Sequence, residues 1–251
     1  METKDRANLT VSSIFSRFLI GFASGFIGSI VLGIVLFFSW SVVGDILSPS
    51  DVSPTEFGIT IGSQTHPLFL SIITLGVFLA ALVGNIAYAL LSTIIEEKYT
   101  QRSTVITHIF FGNLVILLLI LPVYLTSSRA FGPTGIALSS ILHLIVTAFL
   151  TFLVLEILHQ SKYLLVNTYG IILGILLFFF LGGILVGQSN GTLVLILSLP
   201  LLLGMIALGN RAVEVFYSWM YENYGRDFLN TDTKFGSDYG EKEDPSQDFD
   251  V

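Results

Sequence analysis

Apolar residues fall into six long runs, at 18–43, 68–95, 105–126, 135–158, 164–186 and 193–209. None shows the apolar/polar alternation of a barrel strand. A helix rising 1.5 Å per residue needs about twenty apolar residues to cross roughly 30 Å of hydrocarbon, which is the scale of these runs. The pattern therefore predicts an all-α, polytopic integral membrane protein: a bundle of six transmembrane helices over 18–210. It is flanked by an N-terminal tail (1–17), an external loop (44–67), an interfacial helix (211–224) and a disordered acidic C-terminal tail (225–251).

Lys and Arg between the runs set the expected orientation, because translocated loops are poor in positive charge. Lys4, Arg6, Arg17, Lys98, Arg102, Lys162, Arg211, Arg226, Lys234 and Lys242 fall on one side, and Arg129 alone on the other. Both chain ends are thus expected in the cytoplasm. The first run is too long for a signal-peptide core and no small-x-small site follows Val43, so it reads as a retained anchor.

Composition agrees with this class: 53% hydrophobic residues and 12% charged leave too little polar surface for a soluble particle. The net charge of −7 is concentrated after position 221, where nine acidic residues face three basic ones. Such a segment lacks the aliphatic residues needed to fold alone and repels nucleic acid, which is not an expected partner. With no cysteine, thiol nucleophiles, disulfides and cysteine-ligated clusters are excluded.

The external loop contains Pro49 and Pro54, which oppose a regular helix, and 57–61 alternates weakly, as a small lid or hairpin would. Trp40 nearby suits an interfacial aromatic. Within the runs, small residues recur at four-residue spacing: Gly21, Gly25, Ser29 and Gly33; Gly76, Ala80 and Gly84; Gly170 with Gly174, and Gly183 with Gly187. One face of each helix could then approach a neighbour closely, in this chain or in another subunit. Pro122 and Pro200 each remove a helical hydrogen bond.

Polar groups within apolar runs must find partners in protein or water. Asn85 and Asn113 lie about 15 and 12 Å from the same end of consecutive antiparallel helices, a match that predicts an interhelical amide bond. Ser140, His143, Thr147 and Thr151 form a stripe at three-and-four spacing in the fourth run, a candidate polar lining. Glu156, the charged residue within the runs, lies about 140° around the helix from His143 and so faces other neighbours.

With His108, His159, Arg211 and Glu214, Glu156 makes a candidate cluster at the cytoplasmic rim. There it would snorkel or pair with Lys162 or Arg211. Glu156 and His159 have Glu-x-x-His spacing, but di-iron bundles use that pair twice and here it occurs once. No metal is expected.

No cofactor is expected either. His143 and His108 enter from opposite ends, too far apart for one haem iron, and no lysine within a run could form a retinal Schiff base. The chain has no P-loop, His-Glu-x-x-His or Gly-x-Ser-x-Gly motif, which argues against an enzyme. Past the sixth run, Arg211, Glu214, Ser218 and Glu222 alternate with Val213, Phe216, Met220 and Tyr224, with Trp219 among them and Gly225 as a stop.

Expected partners are the lipid bilayer, other membrane subunits, and a cytosolic protein reached through 211–251. Two functions remain open on this reading. One is a non-enzymatic subunit or scaffold of a membrane complex. The other is a transporter or channel for a small neutral solute.

Overall fold

The computed structural model describes residues 11–46, 53–55, 58–61, 64–65, 67–96, 102–158, 164–186 and 191–228. Six helices are long and apolar enough to span a membrane, an architecture that fits a multi-pass membrane protein. They are α1 (Val11–Ile46), α2 (Pro67–Glu96), α3 (Ser103–Gly132), α4 (Thr134–Leu158), α5 (Leu164–Val186) and α6 (Gly191–Phe228). Their outward faces are apolar, with Phe26 and Phe37 on α1, Leu118 and Leu119 on α3 and Leu176 and Phe180 on α5 exposed. So continuous an apolar surface suits lipid better than water.

The helices differ from the expected spans at their ends. α1 starts at Val11, so 11–17 belongs to the helix and not to a tail. α6 runs unbroken through 211–224 and past Gly225 to Phe228, so the expected interfacial helix is the end of the sixth helix itself. Gly inside a helix costs only about 1 kcal/mol, too little to stop one that its neighbours support. The tail beyond 228 lies outside the described residues, as do His159 and Lys162.

The helical bundle carries one small addition in the loop 44–67, where a lid or hairpin is expected. β1 (Ser53–Thr55), β2 (Gly58–Ile61) and β3 (Gln64–Thr65) form an antiparallel sheet in the order β1-β2-β3. Thr55 pairs with Gly58 and Ile61 with Gln64, so each connection has two residues, the usual hairpin length. Only β2 coincides with the weak alternation, because strands of two or three residues are too short to show a period. β3 lies against the α3–α4 hairpin.

α3 and α4 form a hairpin within one helical stretch, Arg102–Leu158, broken at Gly132. There φ is 57° and ψ −136°, a region that side chains with a β-carbon rarely enter. Pro133 follows and offers no N–H to continue the ladder. Ser127 Oγ lies 2.5 Å from Ser139 Oγ across the turn, tying the two arms together.

The packing centre is α6, against which α1 and α5 lie, with α2 on α1 and the α3–α4 hairpin on α2. Glycine makes these approaches possible: a β-carbon at Gly21, Gly25, Gly170 or Gly174 would collide with the backbone of α6. At Gly28 it would sit 2.5 Å from the Ala80 carbonyl oxygen of α2. These seams are all internal. Gly33 and Gly183, which continue the expected stripes, face open space.

The α1–α6 seam contains a further device. Pro200 has no N–H, which leaves the carbonyl of Ile196, four residues earlier, without its helical donor. Ser29 Oγ on α1 donates to that carbonyl at 2.5 Å. Gly25, one turn before Ser29, rests on Pro200 and brings α1 close enough for the bond. Ser29→Ala is expected to cost about 1 kcal/mol of stability, the net worth of one hydrogen bond. Pro200→Ala restores the missing N–H, so in that background Ser29→Ala should cost clearly less. Equal losses of thermal stability in both backgrounds would show that Ser29 does not repair the proline break.

Candidate functional site: a buried polar layer

Ser13 Oγ on α1 accepts from Arg211 Nε on α6 at 3.0 Å, so both ends of the described chain lie at one end of the bundle, here the terminal face. About one turn beneath it lies a layer of buried polar side chains. Glu156 of α4 is 2% exposed. Its Oε2 accepts from Asn167 Nδ2 of α5 at 2.7 Å and its Oε1 from Asn210 Nδ2 of α6 at 3.2 Å. Burying a carboxylate is costly unless its lone pairs are met, and here amides from two other helices meet them.

α1 and α2 join at the same level. Arg17 of α1 is 3% exposed, and its Nη1 donates to the Tyr88 hydroxyl of α2 at 3.5 Å. The Tyr88 ring packs on Phe152 of α4 with centroids 4.3 Å apart, one turn before Glu156. From the other side, Gly21 rests on Leu203 and Ala207 while Ser13 meets Arg211, which puts Arg17 between them on α1, level with Asn210. A buried base and a buried acid therefore share one layer, where the low dielectric strengthens their attraction. Arg17 and Glu156 each make other contacts as well.

α3 is joined through the asparagines. Asn113 Nδ2 donates to the Ile109 carbonyl of its own helix at 2.8 Å, which turns its Oδ1 outward to α2. Asn85 Nδ2 donates to that oxygen at 3.2 Å. Asn85 must therefore present its nitrogen, and its own Oδ1 is left buried without a partner among the described residues. Ser92 Oγ on α2 and Asn210 Oδ1 on α6 are buried and unpartnered in the same way.

Of the expected rim residues, Glu156, Arg211, Glu214 and His108 are described and His159 is not. Arg211 turns to Ser13 and to Glu214, whose Oε2 lies 2.8 Å from its Nη1. His108 is exposed, with Nδ1 2.8 Å from the Thr104 carbonyl one turn back on α3. Glu156 does not snorkel: from α4 it points into the bundle, where Asn167 and Asn210 are nearer than water.

The stripe on α4 faces α3 in the other half of the bundle. His143 is 0% exposed; its Nδ1 lies 3.4 Å from the Tyr124 hydroxyl, which donates to Ser140 Oγ at 3.3 Å. Ser140 and Thr147 also donate back to carbonyls of their own helix, at 2.8 Å each. Thr151 is buried. His143 Nε2 has no hydrogen-bond partner among the described residues.

Several members of the polar layer escape a reading of the sequence alone. Arg17 precedes its apolar run, Tyr88 counts toward the apolar content of another, and Asn167 and Asn210 fall at run ends where polar residues are ordinary. The signal that could have found them is positional: Arg17, Glu156, Asn167 and Asn210 each lie within a few residues of the same end of four different runs. Comparison with known proteins gives no match: no family model, no curated protein and no solved structure.

The amide pair permits a test of the layer. Asn85→Leu alone strands the Asn113 oxygen in an apolar site, a loss of about 1–3 kcal/mol. Asn85→Leu with Asn113→Leu removes both polar groups, and its thermal stability in mild detergent should exceed that of the single variant. A double variant as damaged as the sum of the two singles would mean that the amides act independently.

Proposed function

We propose that this chain is a non-enzymatic multi-pass membrane protein, a subunit or scaffold of a membrane complex, with both chain ends in the cytoplasm. The observation that carries the reading is the inward pairing of the polar groups: His143, Asn85, Asn113 and Glu156 all bond to side chains of neighbouring helices. Interhelical bonding of this kind holds a bundle in one arrangement. The ten-to-one distribution of basic residues supports the orientation.

The partner surface on this reading is the end of α6. Beyond Asn210 the helix continues for 18 residues, about 27 Å. There Phe216 and Trp219 stack with centroids 6.1 Å apart while 58% and 51% exposed, and Met220 beside them is exposed too. Aromatic and methionine side chains of this kind are enriched where proteins meet.

The second reading, a transporter or channel for a small neutral solute, is favoured by one observation, the unpartnered His143 Nε2. The absence of a second deep charge beside His143 on that face, among the described residues, makes a charged solute the poorer candidate.

Native-mass measurement in mild detergent separates the two. The subunit reading expects a defined complex that Phe216→Ser with Trp219→Ser dissociates, leaving the thermal stability of the bundle unchanged. His143→Leu should lower that stability by about 1 kcal/mol, the net worth of its bond to the Tyr124 hydroxyl, which keeps Ser140 as a partner. Purified protein that carries a neutral solute into proteoliposomes without any partner, and loses this with His143→Leu while remaining folded, would replace the subunit reading by transport.

A further inference from the structure

Three buried polar groups surround the Arg17–Tyr88–Glu156 layer without a hydrogen-bond partner among the described residues: Asn85 Oδ1, Ser92 Oγ and Asn210 Oδ1. Leaving such groups dry in a protein interior is unfavourable, and in native structures they are met by protein or by bound water. Reversing the amides does not help. Turning Asn210 over would withdraw its nitrogen from Glu156 and set its oxygen against the carboxylate. Asn85 is fixed through Asn113 by the Ile109 carbonyl.

The three groups are also ordered in space. Asn85 and Ser92 are seven residues apart and so nearly in line on one face of α2, about 10 Å along its axis, with Tyr88 between them. Ser92 lies four residues, about 6 Å, from the end of α2 at the terminal face. Tyr88 carries the Arg17 contact, and Asn210 holds Glu156 from the side of α6.

We propose that this layer is a water-binding site entered past Ser92, in which bound water bridges Ser92, Asn85 and Asn210 to the buried charges. The two amide oxygens can only accept and the Ser92 hydroxyl can do either, so the ligand must offer donors to the amides. Water is the smallest donor and, with two lone pairs, can in turn accept from the Arg17 guanidinium. A metal cation or ammonium group would offer no acceptor to that guanidinium and would be repelled by its charge. The site goes beyond a scaffold role, since it gives Glu156 exchange with the aqueous phase while Ile157 and Leu165 beside it present apolar, exposed surface.

The chain has no cysteine, so single cysteines can be introduced into the full-length protein without background. Methanethiosulfonates react with thiolates, and a thiolate needs water around it. In proteoliposomes, Ser92→Cys should react with 2-aminoethyl methanethiosulfonate at least about tenfold faster than Leu75→Cys, on the apolar outward side of the same helix.

Ser92→Val gives an independent reading whose sign differs between a wet and a dry site. Removing a dry, unpartnered hydroxyl raises the Tm, whereas removing one that holds water should lower it by about 2–4 °C. A Ser92→Cys variant as slow as Leu75→Cys overturns the proposal, and so does a Ser92→Val variant whose Tm holds or rises. Neither result bears on whether a complex forms through α6, so the scaffold reading stands or falls separately.

Discussion

A carboxylate buried in an apolar bundle is the constraint around which this fold is arranged. Glu156 is held out of bulk solvent by the packed ends of α4, α5 and α6, and an isolated charge there would cost several kcal/mol. Asn167 and Asn210 satisfy its oxygens, and each needs its own helix at a set depth and rotation. Close approach of α5 to α6 is therefore required, and Gly170 and Gly174 permit it: a β-carbon at either position would meet the α6 backbone beside Asn210 or Ile206. The glycine seam and the polar layer are two parts of one arrangement.

The α1–α6 seam follows the same logic with neutral groups. Pro200 opens a gap in the hydrogen-bond ladder of α6, Gly25 admits α1 to it and Ser29 fills it. A proline within a helix is then specific, because the helix is complete only with α1 beside it in one register. That register brings Ser13 to Arg211 and lowers Arg17 into the layer of Glu156. The outward faces carry no comparable demand, which is why Gly33 and Gly183 can face open space.

The six helical runs were legible in the sequence because length and apolarity are properties of single segments. The Asn85–Asn113 bond was legible as well, since two antiparallel neighbours share a depth scale that counting residues supplies. What counting does not supply is rotation. Glu156, two residues from the end of its run, looks like a rim group, and only the packing of α5 and α6 over it makes it a core group. Arg17 is hidden by the same effect, in a helix that begins about two turns before its apolar run. Of the sheet in 53–65 only β2 shows, as the weak alternation at 57–61, and the strands of two and three residues beside it are too short to leave a period.

Glu156 and Glu214 provide the most direct comparison for this account. Both accept hydrogen bonds at the same end of the bundle, but Glu214 pairs with Arg211 within reach of solvent and Glu156 is enclosed. Thermal unfolding in mild detergent at neutral pH should show Glu214→Gln within about 1 kcal/mol of the unaltered protein, as for exposed ion pairs. Glu156→Gln sets an amide nitrogen against one of the two asparagine nitrogens and removes the acid that shares a layer with the buried Arg17, and should lose about 3 kcal/mol or more. A Glu156→Gln protein as stable as Glu214→Gln would contradict the claim that the buried carboxylate organises the bundle.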